Sequence, residues 1–149
     1  MASRLTPILI VPAALAWILV VLPTLISRKG WSRFAEWHPA TLPPAGTVYT
    51  VPEVRFSTFG RYSNAVRVNF TEAGIYFRMF PLLRVGHAPF RVPWNSVRSV
   101  ERNTGWLARG LVLHLETKAG KIKLCLPAKA EAELLRHLPA ALLPPAASA

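Results

Sequence analysis

The sequence predicts a mainly β protein with one N-terminal transmembrane helix, in which an antiparallel barrel or sandwich of about seven strands is capped by a C-terminal helix. Three observations predict this fold class. Residues 5–26 form an uncharged run. From residue 47 to 127, short runs rich in Val, Phe, Tyr and Ile alternate with polar residues and are separated by Gly or Asn. Residues 128–138 have helical character and are bounded by Pro127 and Pro139.

The uncharged run indicates a spanning helix over residues 5–27, after a short tail of residues 1–4. At about 1.5 Å per residue its 22 residues would reach roughly 30 Å, the thickness of the hydrocarbon core. A buried core helix is one alternative, but a chain this short rarely surrounds so long an apolar helix. A cleaved signal peptide is another, but the run continues well past the small residues Ala13–Ala16 and ends at Arg28.

The basic residues beside the run predict its orientation. Arg28, Lys29 and Arg33 follow the run, whereas Arg4 and the amino group precede it. The positive-inside rule therefore predicts a single-pass membrane protein with its domain in the cytoplasm, and an extracytoplasmic domain is the alternative.

Residues 28–46 are predicted to form an interfacial helix and a stiff, proline-rich linker. Trp31 and Phe34 share one helical face, and Trp37 follows one turn after Arg33. Aromatic residues beside cations favour a helix at the lipid headgroups. Packing of this helix against the domain remains an alternative.

A β domain with a C-terminal helix is predicted over residues 47–138, and a disordered Ala/Pro tail over residues 139–149. The clearest hairpin joins residues 111–117 to residues 122–126. In the long loop over residues 101–110, Trp106 and Leu107 lie between cations and are candidate membrane contacts. The alternative is that Trp106 folds back on the sheet.

Three segments resemble the PH-like superfold in its bacterial PH and GRAM-like versions. These are the hairpin entry Glu72-Ala73-Gly74-Ile75-Tyr76-Phe77, the segment Pro89-Phe90-Arg91-Val92-Pro93-Trp94-Asn95-Ser96-Val97, and the terminal hairpin followed by a helix. The start of the linker region, residues 30–35, is similar to small bacterial membrane proteins that carry such a domain, which implies the bacterial inner membrane as the location. The resemblance implies a fold and a binding role toward phosphoinositides, peptides or proteins, and it transfers no binding residue.

Residues for catalysis do not group in the sequence. The chain has no Asp, its seven Glu are scattered, and its four His show no metal-ligand spacing. The single Cys125 has no partner at metal-binding or disulfide spacing. We therefore predict a protein that is not an enzyme and that needs no metal and no cofactor.

Positive charge is the remaining functional signal, because 18 Lys and Arg against seven Glu give a formal net charge of +11. Arg67 and Arg78 are predicted to face each other across a hairpin. A solvated face kept soluble by its charge is the plain interpretation, and the absence of any nucleic-acid motif argues against a nucleic-acid site. The candidate contacts to an anionic surface are Arg67, Arg78, Arg91, Arg102 and Arg109.

These observations predict a membrane-anchored, non-catalytic binding module that presents a basic domain to a protein or an anionic lipid. The alternative is a structural subunit or assembly factor of a membrane complex that acts through its transmembrane helix.

Overall fold

Seven strands and two short helices form the part of the chain that the computed structural model describes, namely residues 14, 15, 17, 18, 30–56, 60–103 and 110–142. The helices are α1 Trp31–Trp37 and α2 Glu131–His137. The strands are β1 Tyr49–Phe56, β2 Gly60–Thr71, β3 Gly74–Met79, β4 Phe90–Val92, β5 Val97–Asn103, β6 Gly110–Thr117 and β7 Gly120–Pro127. Single 3-10 turns lie at Pro81–Leu83, Trp94–Ser96, Ala128–Ala130 and Ala140–Leu142.

All seven strands belong to one antiparallel sheet in the order β4-β3-β2-β1-β7-β6-β5, which curls into a half-barrel. The mainly β character, the strand number and the C-terminal helix agree with the sequence prediction. The predicted barrel or sandwich does not, because β4 and β5 are the two edges of one open sheet. The segment between β4 and β5 gives the physical reason why the sheet stays open. Pro93 lacks an amide hydrogen, and the turn Trp94–Ser96 separates β4, which has only three residues, from β5.

Alternation along each strand places apolar side chains inside the curl and polar ones outside. On β2, Val66 and Val68 are fully buried while Arg67 between them is partly exposed. On β3, Ile75 and Phe77 are buried in the same way. The period of two therefore defines an inner, apolar face and an outer face on which charged residues collect.

Helix α1 closes the end of the half-barrel where β1 ends. Trp31 and Phe34 are 0% and 1% exposed, and both rings contact Phe56 and Phe90. The predicted contact of these two side chains with lipid headgroups is therefore corrected: their apolar face packs against the domain. The same face suits either environment, and in the core it meets the rings of Phe56 and Phe90 at centroid distances of 4.9–5.8 Å.

Helix α2 closes the opposite end, beside the first residue of β1. Leu134 is fully buried, and the Tyr49 hydroxyl donates a hydrogen bond of 2.5 Å to Glu133 Oε2. The ring of His137 stacks on Trp94 at 5.1 Å, and Trp94 Nε1 donates to the Thr71 carbonyl at 2.8 Å. The C-terminal helix thus ties both halves of the sheet together.

The predicted transmembrane helix is corrected by the structure. Of residues 5–27, only 14, 15, 17 and 18 belong to the described part of the chain, where no helix is long and apolar enough to cross a membrane. Helices α1 and α2 have seven residues each, about 10 Å against the roughly 30 Å that a bilayer requires. The described structure therefore does not fit the prediction of a single-pass protein of the inner membrane.

The predicted disordered tail begins with ordered structure. Ala140–Leu142 form a 3-10 turn in which the Leu142 amide donates to the Pro139 carbonyl at 2.9 Å. Leu142 is partly buried against the core, which explains why the turn is held in place. Residues 143–149 lie outside the described residues.

Candidate functional site: an arginine face

The outer face of β2, β3 and β4 collects arginine side chains. The register pairs Arg67 of β2 with Arg78 of β3, which confirms the predicted pairing, and pairs Tyr76 of β3 with Arg91 of β4. Arg84 joins them from the turn that follows Pro81–Leu83. We call Arg67, Arg78, Arg84 and Arg91 the arginine face.

Two like charges directly across a strand pair repel each other, since their Cα atoms are only about 5 Å apart. The structure separates the two guanidinium groups by different packing. The Arg67 guanidinium lies over the Phe80 ring at 4.6 Å, a cation–π contact. Arg78 Nε is buried and has no hydrogen-bond partner among the described residues.

A cavity of about 260 Å³ lies before the first residue of β4, where β3 continues past its pairing with β4, and Tyr76, Arg78 and Arg84 contribute to its lining. Burial raises the pKa of the Tyr76 phenol, while the positive charges of Arg78 and Arg84 lower it. The phenol therefore interacts electrostatically with both guanidinium groups in a partly desolvated cavity, where charge interactions are stronger than in bulk water.

The segment that was predicted as a linker lies across this outer face. The Arg91 amide donates to the His38 carbonyl at 2.9 Å, and Asn69 Nδ2 donates to the Thr47 carbonyl at 3.0 Å. A second cavity of about 210 Å³ lies beneath the segment, between Thr41 and Arg91. The segment thus leaves two openings in which arginine side chains meet hydroxyl groups.

Charge is distributed unevenly between the two halves of the sheet. On the half formed by β1, β5, β6 and β7, glutamates pair with cations: Glu53 contacts Arg55 at 2.5 Å, and Glu116 contacts Arg98 at 3.5 Å. Glu53 also contacts Arg61, at the start of β2, at 2.6 Å. All seven glutamates lie in the described part of the chain, and none of them forms an ion pair with the arginine face. Glu72 lies five residues beyond Arg67, about 17 Å along an extended strand.

One of the two other predicted anionic contacts does not join this face. Arg102 forms an ion pair with Glu131 at 2.7 Å, so its charge is already neutralised within the protein. Arg109 lies outside the described residues, as do the predicted membrane contacts Trp106 and Leu107. Trp37 is 55% exposed at the end of α1.

Sequence reasoning missed Arg84 as a site residue and missed the anchor of its loop. His87 is only 3% exposed. Burial lowers its pKa and the hydrogen bond to the Val85 carbonyl raises it, and the net pKa is lowered. Its Nδ1 lies 3.0 Å from that carbonyl oxygen, and its Nε2 lies 3.3 Å from the Tyr62 hydroxyl. Trp31 Nε1 donates to the Ala88 carbonyl at 2.7 Å. The one sequence signal for the position of Arg84 was Pro81, which predicts a turn just before it.

Possible metal ligands do not cluster in the part of the chain that the structure describes. Within the described ranges, no three His, Cys or Glu side chains lie close enough to hold a metal ion. Cys125 is half-buried, and burial followed by the nearby charge of Glu53 raises the pKa of its thiol. A raised thiol pKa favours the protonated and less reactive form.

The chain was compared with protein-family models, with curated proteins and with solved structures, and nothing matches it. The resemblance to the PH-like superfold therefore stays a prediction.

Proposed function

We propose that the chain is a non-catalytic binding module whose arginine face binds an anionic partner. The observation that carries the proposal is the gathering of four arginines on one half of the sheet without a carboxylate paired to any of them in the described structure. On the other half of the same sheet, Arg55, Arg98 and Lys121 are paired with glutamates. A face kept basic only for solubility has no need of such segregation.

Binding requires no chemical step. Guanidinium groups present planar pairs of N–H donors that match carboxylate and phosphate oxygens, and such charge-assisted bonds are stronger than neutral ones. The rigid sheet holds Arg67, Arg78 and Arg91 at fixed register positions. A partner with spaced negative charges would thus relieve the repulsion between Arg67 and Arg78.

A soluble polyanion tests this proposal without assuming the nature of the partner. The probe is polyglutamate, titrated into the full chain at low salt. The test variant is R84Q/R91Q, which removes two exposed cations from the arginine face. The matched control is R61Q/R98Q, which removes two exposed cations that are paired with Glu53 and Glu116.

Both variants lower the net charge by two, so a response to overall charge would weaken binding equally. We expect R84Q/R91Q to weaken polyglutamate binding about tenfold, because each exposed charge contributes up to about 1 kcal/mol. We expect R61Q/R98Q to change it by less than about twofold, since the glutamates already compensate these cations. Equal effects of the two variants would refute the proposal.

A further inference from the structure

The cavity lies before Phe90, the first residue of β4, and it is open because that strand is short. Strand β4 pairs with β3 only from Ile75 to Phe77, so Arg78 follows the last paired residue. The loop that contains Arg84 and the segment around Thr41 line the resulting gap. The cavity volume of about 260 Å³ is room for about nine waters at roughly 30 Å³ each, enough for a phosphate group and part of its ester.

Hydrogen-bond donors surround this cavity, and no carboxylate is among the described residues that line it. Arg78 has a buried Nε without a hydrogen-bond partner in the described structure, and leaving such a donor unpaired is costly. Arg84 adds a second guanidinium, and Thr41 and Tyr76 add hydroxyl groups. An apolar occupant would accept no hydrogen bond from any of these four donor groups.

The histidine in the lining is already engaged. The two ring nitrogens of His87 lie within hydrogen-bond distance of the Val85 carbonyl and the Tyr62 hydroxyl. Two guanidinium groups and two hydroxyls offer more donors than the two oxygens of a carboxylate can accept. A phosphate monoester has three terminal oxygens and nearly two negative charges, and it matches this donor set more closely.

Both walls of the cavity are held in place before any ligand arrives. The Trp31 indole and the buried His87 anchor the loop from Arg84 to Ala88, and the sheet positions Tyr76 and Arg78. A site built from anchored elements loses little conformational entropy on binding.

We infer that this cavity is a binding site for the phosphate group of a phosphate monoester, held chiefly by Arg78 and Arg84. The inference rests on the proposed function and specifies one ligand class for part of the arginine face. Thr41 and Tyr76 donate their hydroxyl hydrogens to the same group. Arg67 and Arg91 lie outside this cavity and act only on larger polyanions.

Calorimetric titration of the full chain with inorganic phosphate, glycerol 3-phosphate and O-phosphoserine tests the inference at constant ionic strength. The three probes separate a free ion, a lipid-headgroup type of ester and a phosphorylated side chain, and the tightest of them indicates the source. Acetate serves as the carboxylate probe. We expect the best phosphate probe to bind at least about tenfold more tightly than acetate, because it accepts more charge-assisted hydrogen bonds.

Variants locate the site. R84Q is expected to weaken phosphate binding about tenfold, since it removes a charged donor from an exposed position without threatening the fold. R91Q, outside the cavity, is expected to change it by less than about twofold. Phosphate binding no tighter than acetate binding, or an equal response to R84Q and R91Q, would overturn the inference.

Failure of the inference can be told apart from failure of the proposed function. If the chain binds polyglutamate through its arginine face but does not bind the phosphate probes, the phosphate site is refuted and the anion-binding module stands. If R84Q/R91Q has no effect on polyglutamate either, both are refuted.

Discussion

Replacing Trp31 by alanine should destabilise the protein more than any change to an exposed aromatic residue of the same helix. Trp31 is fully buried, and its ring contacts Phe56, Tyr62 and Phe90 at centroid distances of 5.4, 5.8 and 4.9 Å. Its Nε1 also donates a 2.7 Å hydrogen bond to the Ala88 carbonyl. The change therefore removes a packed ring and one hydrogen bond together.

The magnitude follows from these two losses. Truncation of a buried Phe or Trp to Ala costs about 3–5 kcal/mol, and the unpaired Ala88 carbonyl moves the expected value for W31A toward the upper end, about 4–5 kcal/mol. Since the free energy of unfolding of a domain is about 5–15 kcal/mol, this is a large share of the total. W31F retains much of the ring packing and should cost about 1–2 kcal/mol, chiefly for the lost hydrogen bond.

Urea unfolding followed by far-ultraviolet circular dichroism measures these differences. With a slope of about 1.5 kcal/mol per M, W31A should move the midpoint down by roughly 3 M. W37A is the matched control, because Trp37 lies on the same helix and is 55% exposed; its expected cost is below about 0.5 kcal/mol. If W31A and W37A differ by less than about 1 kcal/mol, the packing of α1 described above is wrong.

Three further predictions concern other parts of the sheet. Burial raises the pKa of Glu53, but its two arginine partners lower it by more, so the net pKa is depressed. A carboxyl with a depressed pKa stabilises the fold above the unfolded pKa, and that contribution is lost as the pH falls through the folded pKa. E53Q should therefore cost about 0.5–1 kcal/mol in urea unfolding at pH 7 and progressively less as the pH falls below the unfolded value of about 4.3. A cost independent of pH would contradict this. Gly74 has φ +143°, and a Cβ there would overlap the Val92 carbonyl oxygen, so G74A should lower the free energy of unfolding by about 3 kcal/mol or more. The control G46A, with φ +122° and open space around the Cβ, should cost only about 1 kcal/mol. Equal shifts of the melting temperature in the two variants would refute the clash. Cys125, whose thiol pKa is raised by burial and by Glu53, should react with iodoacetamide at least about tenfold more slowly than it does in urea-unfolded protein; equal rates would show that the thiol is open to solvent.

The strands were readable from sequence because a half-buried strand needs local alternation. Val66, Val68 and Phe70 lie on the inner face as their spacing predicts, and Arg67 lies between them on the outer face. The terminal hairpin is similarly local, since Thr117 and Gly120 close a turn between two continuous apolar stripes. Neither feature depends on distant residues.

The environment of an apolar face was not readable in the same way. Trp31 and Phe34 form the same stripe whether it meets lipid or a protein core, and only the tertiary structure shows that Phe56 and Phe90 cover it. The uncharged N-terminal run likewise met every sequence criterion for a spanning helix, and the described structure contains no such helix. Hydrophobicity reports the preference of a segment and not what satisfies it.

For the candidate site, the sequence by itself determined the strand pattern, the excess of positive charge and the pairing of Arg67 with Arg78. The tertiary structure decided the rest: that Arg84 joins the face, that Arg102 is neutralised by Glu131, and that a short β4 leaves a cavity beside Arg78. The physical reason is the distance along the sequence between the residues that interact. Alternation and hairpin register depend on neighbouring residues, whereas the partner of a charge and the lining of a cavity depend on residues that are brought together only when the whole sheet has folded.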